Sequence, residues 1–306
     1  MLRGVFLFGI MWSALCLLLL MGTLVVAMRL PPGSQLAYVL HENGPDAASG
    51  DVVYLADVRT GAQVPVFSAE EIGLKLQWAG ESLYMIQRIG EEHRLVQVHI
   101  PSGEVASLAA VRSYRSNMAV SPDGQWLAYE DGRGVITLRH LRDGHIQGLY
   151  HPSSAYVVDI HWSQDSGALY VRRLVSRDME LMRVALATGM AEPVMVVTAN
   201  EWVTDGSTTV MVAWQPETGN DLVRAPLDDP AGQTALTSDA ADDHMPLLSP
   251  DGETVGFIRC VRPGMACGLS VMKTAGGGLR PVLPGRYLSQ RQAVETFAWY
   301  IAVPAS

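Results

Sequence analysis

A turn-bearing hairpin returns along this chain at spacings of 42, 42, 40 and 46 residues, and that period limits the fold more than any other feature. The clearest copy is Asn117–Glu130, NMAVSPDGQWLAYE. Met118–Ser121 read as one strand, Pro122-Asp123-Gly124 as a turn and Trp126–Tyr129 as the returning strand. Proline fixes its φ, aspartate bonds the backbone ahead of it and glycine accepts positive φ. A second copy, Leu247–Arg259, carries Ser249-Pro250-Asp251-Gly252 in the same place. Looser copies are Gln77–Arg88, His161–Arg173 and Glu201–Trp214. Aligned on Ser121, the equivalent positions are Ala79, Ser163, Val203 and Ser249, each preceded by a large apolar residue: Trp78, Val120, Trp162, Trp202 and Leu248.

A second turn series keeps the same period. It falls at Arg59-Thr60-Gly61, Pro101-Ser102-Gly103, Arg142-Asp143-Gly144, Ala187-Thr188-Gly189, Asp229–Gly232 and Ala275-Gly276-Gly277, each between two strand-like runs. Two hairpins per period, with the period in the low forties, fit a four-stranded propeller blade. The alternative is a β-sandwich with coincidental turn spacing.

Leu36–Ser68 supplies three strands, and Val294–Val303 supplies one more at the other end of the chain. Together they make one blade. The others fall at Leu74–Arg112, Ser113–Ser153, Ala155–Ala199, Asn200–Asp239 and Asp242–Pro284. The expectation is therefore an all-β, six-bladed β-propeller of four-stranded antiparallel blades over residues 36–306, closed by the C-terminal strand. Closure removes exposed sheet edges.

Residues 1–29 read as a transmembrane signal-anchor helix and residues 30–35 as a short stiff linker. Gly4–Met28 carries no charge and would make a helix roughly 37 Å long, enough to cross a ~30 Å hydrocarbon layer. The amino terminus beside Arg3 favours a cytoplasmic N-terminus and an extracytoplasmic propeller, periplasmic or at the cell surface. A cleaved signal peptide ending near Val25-Val26-Ala27 is the alternative, although the apolar run exceeds a usual signal core. Cys16 lies in the anchor, and Leu15 argues against a lipoprotein site there.

The net charge is −9, with lysine only at Lys75 and Lys273. That balance argues against nucleic-acid binding. There is no Gly-x-Ser-x-Gly elbow, zinc-spaced Cys/His cluster, P-loop or dinucleotide fingerprint, so no catalytic residue is assigned. The Ser-Pro-Asp-Gly residues are read as turn formers.

Those two motifs, with Trp126-Leu127-Ala128-Tyr129 and Asp243–Leu248, resemble the TolB-type, WD40-like propeller repeat, which is similar also to the propellers of prolyl-oligopeptidase-like enzymes. The resemblance implies a six-bladed, usually extracytoplasmic ring used for protein contacts. In TolB a separate α/β domain precedes the propeller; here the apolar segment stands in that place.

First strands of propeller blades line a central channel. Gln77, Asn117, Asp159, His161, Glu201, Asp243, His244 and Glu295 lie near such strands, so their oxygen ligands could gather a cation such as Ca²⁺. Six-bladed calcium-dependent lactonases use acids and amides in this way, which makes a hydrolytic or small-molecule-binding propeller the alternative. A solvated polar channel is the simpler reading.

Cys260 and Cys267 bracket a hairpin loop containing Arg262-Pro263-Gly264 and are expected to form a disulfide in an oxidising compartment. Trp78, Trp162 and Trp202 recur at one repeat position and are read as core. Arg112–Arg115, RSYR, is a candidate contact loop. The functional expectation is a membrane-anchored, non-catalytic module for protein–protein interaction, an accessory subunit bound to the membrane through residues 4–28 and to an unidentified protein partner.

Overall fold

Strands of two to ten residues account for the regular secondary structure among the described residues of this computed structural model. It describes residues 35–42, 50–69, 71–152, 155–196, 199, 201–261, 266–283 and 292–302. Four four-stranded sheets run in chain order. The first holds β8 (Met118–Val120), β9 (Trp126–Glu130), β10 (Ile136–His140) and β11 (Ile146–Tyr150). The second holds β12 (Tyr156–Trp162), β13 (Ala168–Val175), β14 (Asp178–Ala185) and β15 (Ala191–Val196). The third holds β16 (Trp202–Thr204), β17 (Thr208–Gln215), β18 (Gly219–Pro226) and β19 (Thr234–Ala235). The fourth holds β20 (Ala241–Leu248), β21 (Thr254–Val261), β22 (Ala266–Lys273) and β23 (Arg280–Leu283).

The remaining strands form one curled eight-stranded sheet. They are β1 (Gln35–Glu42), β2 (Gly50–Asp57), β3 (Gln63–Ala69), β4 (Ile72–Ala79), β5 (Ser82–Ile89), β6 (Glu92–His99), β7 (Glu104–Val111) and β24 (Gln292–Ile301). Their order is β3-β2-β1-β24-β4-β5-β6-β7. The expected six separate blades are thus corrected to four four-stranded blades and one eight-stranded sheet. The cause is β24. It pairs antiparallel with β1, placing Tyr38 opposite Phe297 and Leu36 opposite Trp299. On its other edge it pairs in parallel with β4, through Tyr300 with Trp78 and Ile301 with Ala79.

Among the described residues there is no helix, and so none long and apolar enough to cross a membrane. The anchor expected at residues 4–28 lies outside the described residues. The membrane partnership and the single-pass, extracytoplasmic topology built on that anchor are withdrawn with it.

The strand patterns follow their positions. Second strands are covered on both faces, as in β5, where Ser82–Ile86 are all buried. Outermost strands are exposed, as in β7 and β11. Five apolar clusters sit between neighbouring sheets. Trp78, Trp162 and Trp202 are buried in three of them, as their repeat position predicts. Trp162 Nε1 donates to Ala119 O across a sheet boundary at 2.9 Å, and Trp299 Nε1 to Leu247 O at 3.0 Å. Gly256 permits this second contact region to close, since a Cβ there would meet the Phe297 ring at 2.9 Å. Cys260 and Cys267 face each other on β21 and β22 and form the expected disulfide, S–S 2.07 Å. The loop bracketed by them, 262–265, lies outside the described residues.

The repeat turns have one chemistry. Ser121 Oγ donates to Asp123 Oδ1 at 2.5 Å and accepts from Trp126 N at 2.9 Å, while Asp123 Oδ1 accepts from Gln125 N at 3.0 Å. Ser249 and Asp251 repeat this arrangement. The degenerate Ser163-Gln164-Asp165-Ser166 repeats it too, with Ser166 at φ +58° where the other two have glycine. Ser166 holds that unfavourable conformation beside a compensating contact, because its Oγ accepts from Asp123 N in the neighbouring turn at 3.1 Å. Serine and aspartate therefore serve the turn. Ser121→Ala is expected to lower stability by about 1–3 kcal/mol, since it strands a buried amide. Gln125→Ala should change it by less than about 0.5 kcal/mol. Denaturant unfolding of both variants checks this.

Candidate functional site

The first strands of the sheets run side by side in one direction. Asn117 and Ala119 of the first four-stranded sheet bond Val157 and Trp162 of the next, and β24 is parallel to β4. Their side chains enclose a cavity of about 330 Å³. Residues of β4, β8, β12, β16, β20 and β24 line it, together with Arg172 of β13.

Asp159 and Arg172 form the most deeply buried charge pair of this wall. They are register partners on β12 and β13, next to a bulge at Val157/Asp159. Arg172 Nη2 donates to Asp159 Oδ2 at 2.6 Å, and Nη1 to Ala199 O at 2.7 Å. The guanidinium lies 5.7 Å from the Trp202 ring centre. His161 Nε2 stands 3.5 Å from Asp159 Oδ1, and its ring meets Trp202 edge-on at 5.4 Å. Burial pushes the Asp159 carboxyl up, but His161, Arg172 and Lys75 outweigh it and hold the group below its ordinary range.

A second pair stands beside Met245 of the wall. His244 Nδ1 lies 3.3 Å from Glu201 Oε1, and Glu201 Oε2 accepts from Met245 N. Met245 adopts φ +51° at a bulge between His244 and Leu247. Non-glycine residues in that region cost about 1–3 kcal/mol and persist where the surroundings hold them; here the Glu201 carboxylate does so. The hydrogen bond from Glu201 raises the His244 imidazole above its ordinary value, against the effect of burial. Burial pushes Glu201 up, but His244 and the Met245 amide overcome it and draw the carboxyl down.

Asp243 is 0% exposed and sits apart from the cavity wall. Its oxygens lie 3.1–3.2 Å from Arg259 Nη1, and Arg259 Nη2 also binds Asp239. Burial, with Asp239 and Asp221 nearby, pushes its carboxyl up to about 6 despite Thr237 and Arg259. Asn117 turns its amide to Val157 O at 3.2 Å and likewise does not line the cavity. Gln77 Oε1 accepts from Val120 N. The Glu295 side chain lies outside the described residues.

The candidate ligands therefore divide. Asp159 and His161 meet, Glu201 and His244 meet, and Asp243 and Asn117 go elsewhere. The donors do not fit Ca²⁺. The carboxylates of Asp159, Asp243 and Glu201 each have a basic partner, and among the described residues no group of three His, Cys, Asp or Glu could hold a metal. Sequence inspection missed Lys75, Arg172 and Met245 as wall residues. The rarity of lysine was a signal for Lys75; Arg172 and Met245 carried none.

No protein-family model and no curated protein matches the chain. Solved structures do. TolB from Acinetobacter baumannii superposes with a TM-score of 0.66 at 18% identity, over 88% of this chain and 67% of that one. A structure assigned as TolB from Agrobacterium tumefaciens gives 0.57 at 16% identity, over 82% and 89%. Oligogalacturonate lyase from Vibrio parahaemolyticus gives 0.52 at 10% identity, over 82% and 73%. Likeness at such identities defines a class by fold alone: a TolB-like, propeller-like all-β architecture.

The Asp159–Arg172 pair has a direct test. Arg172→Met leaves a buried carboxylate uncompensated and is expected to cost about 3–5 kcal/mol. Adding Asp159→Asn should recover part of that loss, giving a non-additive cycle in chemical denaturation.

Proposed function

We propose that this chain is a non-catalytic binding module whose working surface is the face where the first strands begin. The observation that carries this reading is a set of large apolar side chains on that face. Ile89 ends β5, Tyr156 begins β12, Trp214 stands near the end of β17 and Val261 ends β21. They are 47%, 50%, 69% and 59% exposed. Single exposed apolar residues are ordinary, but these four stand at the same end of four different sheets, and Met245 of the cavity wall is exposed as well. Tryptophan and tyrosine at such positions are typical anchors of protein interfaces.

The cavity chemistry supports a non-catalytic reading. Its described carboxylates are engaged by Arg172, by His244 with the Met245 amide, and by turn amides. The TolB-like fold is compatible with a protein-contact role, although that likeness concerns architecture alone.

A photoreactive residue placed at Trp214 or Val261, in cells of the native host, is expected to cross-link both positions to the same protein. The same residue at Met190, on the opposite face and 73% exposed, should give no such product. Cross-linking from Met190 alone, or none from Trp214 and Val261, would contradict the proposal.

A further inference from the structure

We infer that the central cavity is a binding site for a small amphiphilic carboxylate, whose anionic group pairs with the Lys75 ammonium. The charged side chains of the wall are Lys75, Asp159, Arg172, Glu201 and Asp205, with His161 beside them. Asp159 is held by Arg172 at 2.6 Å. Glu201 is held by His244 and the Met245 amide. Asp205 Oδ1 accepts from Ser207 N and Thr208 N, both at 2.8 Å. Lys75 is left. Among the described residues it makes no hydrogen bond and no direct ion pair; Asp159 acts on it only through a longer-range attraction.

An ammonium in such a wall is poorly solvated. Burial, and secondarily Arg172, pushes its pKa down, against the pull of Asp159. A carboxylate beside it would supply the missing partner. Trp202 Nε1 is a further wall donor buried without a hydrogen-bond partner, whereas His161 Nε2 and Asp159 Oδ1, also without a close partner, stand 3.5 Å from each other. A buried donor without an acceptor is costly, so Trp202 Nε1 favours a ligand that carries one.

The rest of the cavity selects the rest of the ligand. Leu76, Trp162, Phe297 and Trp299 line it and would receive an aromatic or aliphatic body. Gln164 Nε2 donates to Pro250 O at 2.6 Å and joins the turns of two sheets at one end. Entry is therefore assigned to the other end, beside Met245. A volume of about 330 Å³ lies at the small end of ligand sites, which suits one ring with a carboxylate.

The chain contains just two lysines, and Lys273 is exposed, so it is a built-in control. Reductive ¹³C-methylation of the full chain labels both, together with the amino terminus. Phenylacetate is expected to shift the Lys75 signal saturably, with a Kd of about 0.01–1 mM, and to leave Lys273 unmoved. Phenylacetamide should shift neither. In calorimetry on unlabelled protein, Lys75→Met should weaken phenylacetate binding at least about tenfold, or about 1.4 kcal/mol, and Lys75→Arg should weaken it less. The inference is overturned if phenylacetate gives no saturable shift, if the amide binds as well as the acid, or if Lys75→Met binds with unchanged affinity. The acid-against-amide comparison on the unsubstituted protein keeps the test decisive should Lys75→Met fail to fold.

Discussion

β24 is hydrogen-bonded along both of its edges, and the rest of the architecture depends on that. One edge takes β1, more than 250 residues earlier in the chain, in antiparallel register; the other takes the end of β4 in parallel. A strand end left without a neighbour exposes unpaired amides and carbonyls, which favours association with other chains. Here each terminal strand covers the other. The pairing also sets the position of Phe297 and Trp299, which reach the fourth four-stranded sheet through Gly256 and Leu247. The apolar cluster at that boundary joins side chains from both ends of the chain.

The cavity follows from the same constraint. Gathering first strands from all five sheets brings their polar side chains close together, where water is scarce and charge is costly. The wall meets that cost mainly by internal pairing. Asp159 takes Arg172 from the adjacent strand, and Glu201 takes His244 together with a strained backbone amide. Lys75 is the exception, and so the cavity has a chemical preference instead of being merely polar.

Much of this was legible in the residues. The hairpin period located the strands, because turn residues have local conformational reasons to recur. The recurrent tryptophans marked the sheet boundaries, and Cys260 and Cys267 sat where opposed strands put them in reach. Other features were not legible. The period counts repeats, but it does not say which strands share hydrogen bonds, so the merging of two four-strand groups through Tyr300 and Ile301 was invisible. The acids could be considered as cation ligands only because their partners lie on other elements: Arg172 on β13, Arg259 on β21 and His244 on β20. A charge pattern along one strand does not reveal a counter-charge contributed by another. The expectation of a membrane anchor rested on residues 4–28 alone, and the described residues add nothing to it.

The meeting of the two chain ends can be measured through Ala37 and Ala298, which are buried register partners on β1 and β24. In an Ala37→Cys/Ala298→Cys variant, mild oxidation of the folded protein is expected to join these two positions, and peptide mapping should find them linked beside the Cys260–Cys267 bond. Recovery of both introduced thiols unlinked from folded protein, open to labelling only after denaturation, would contradict the shared sheet.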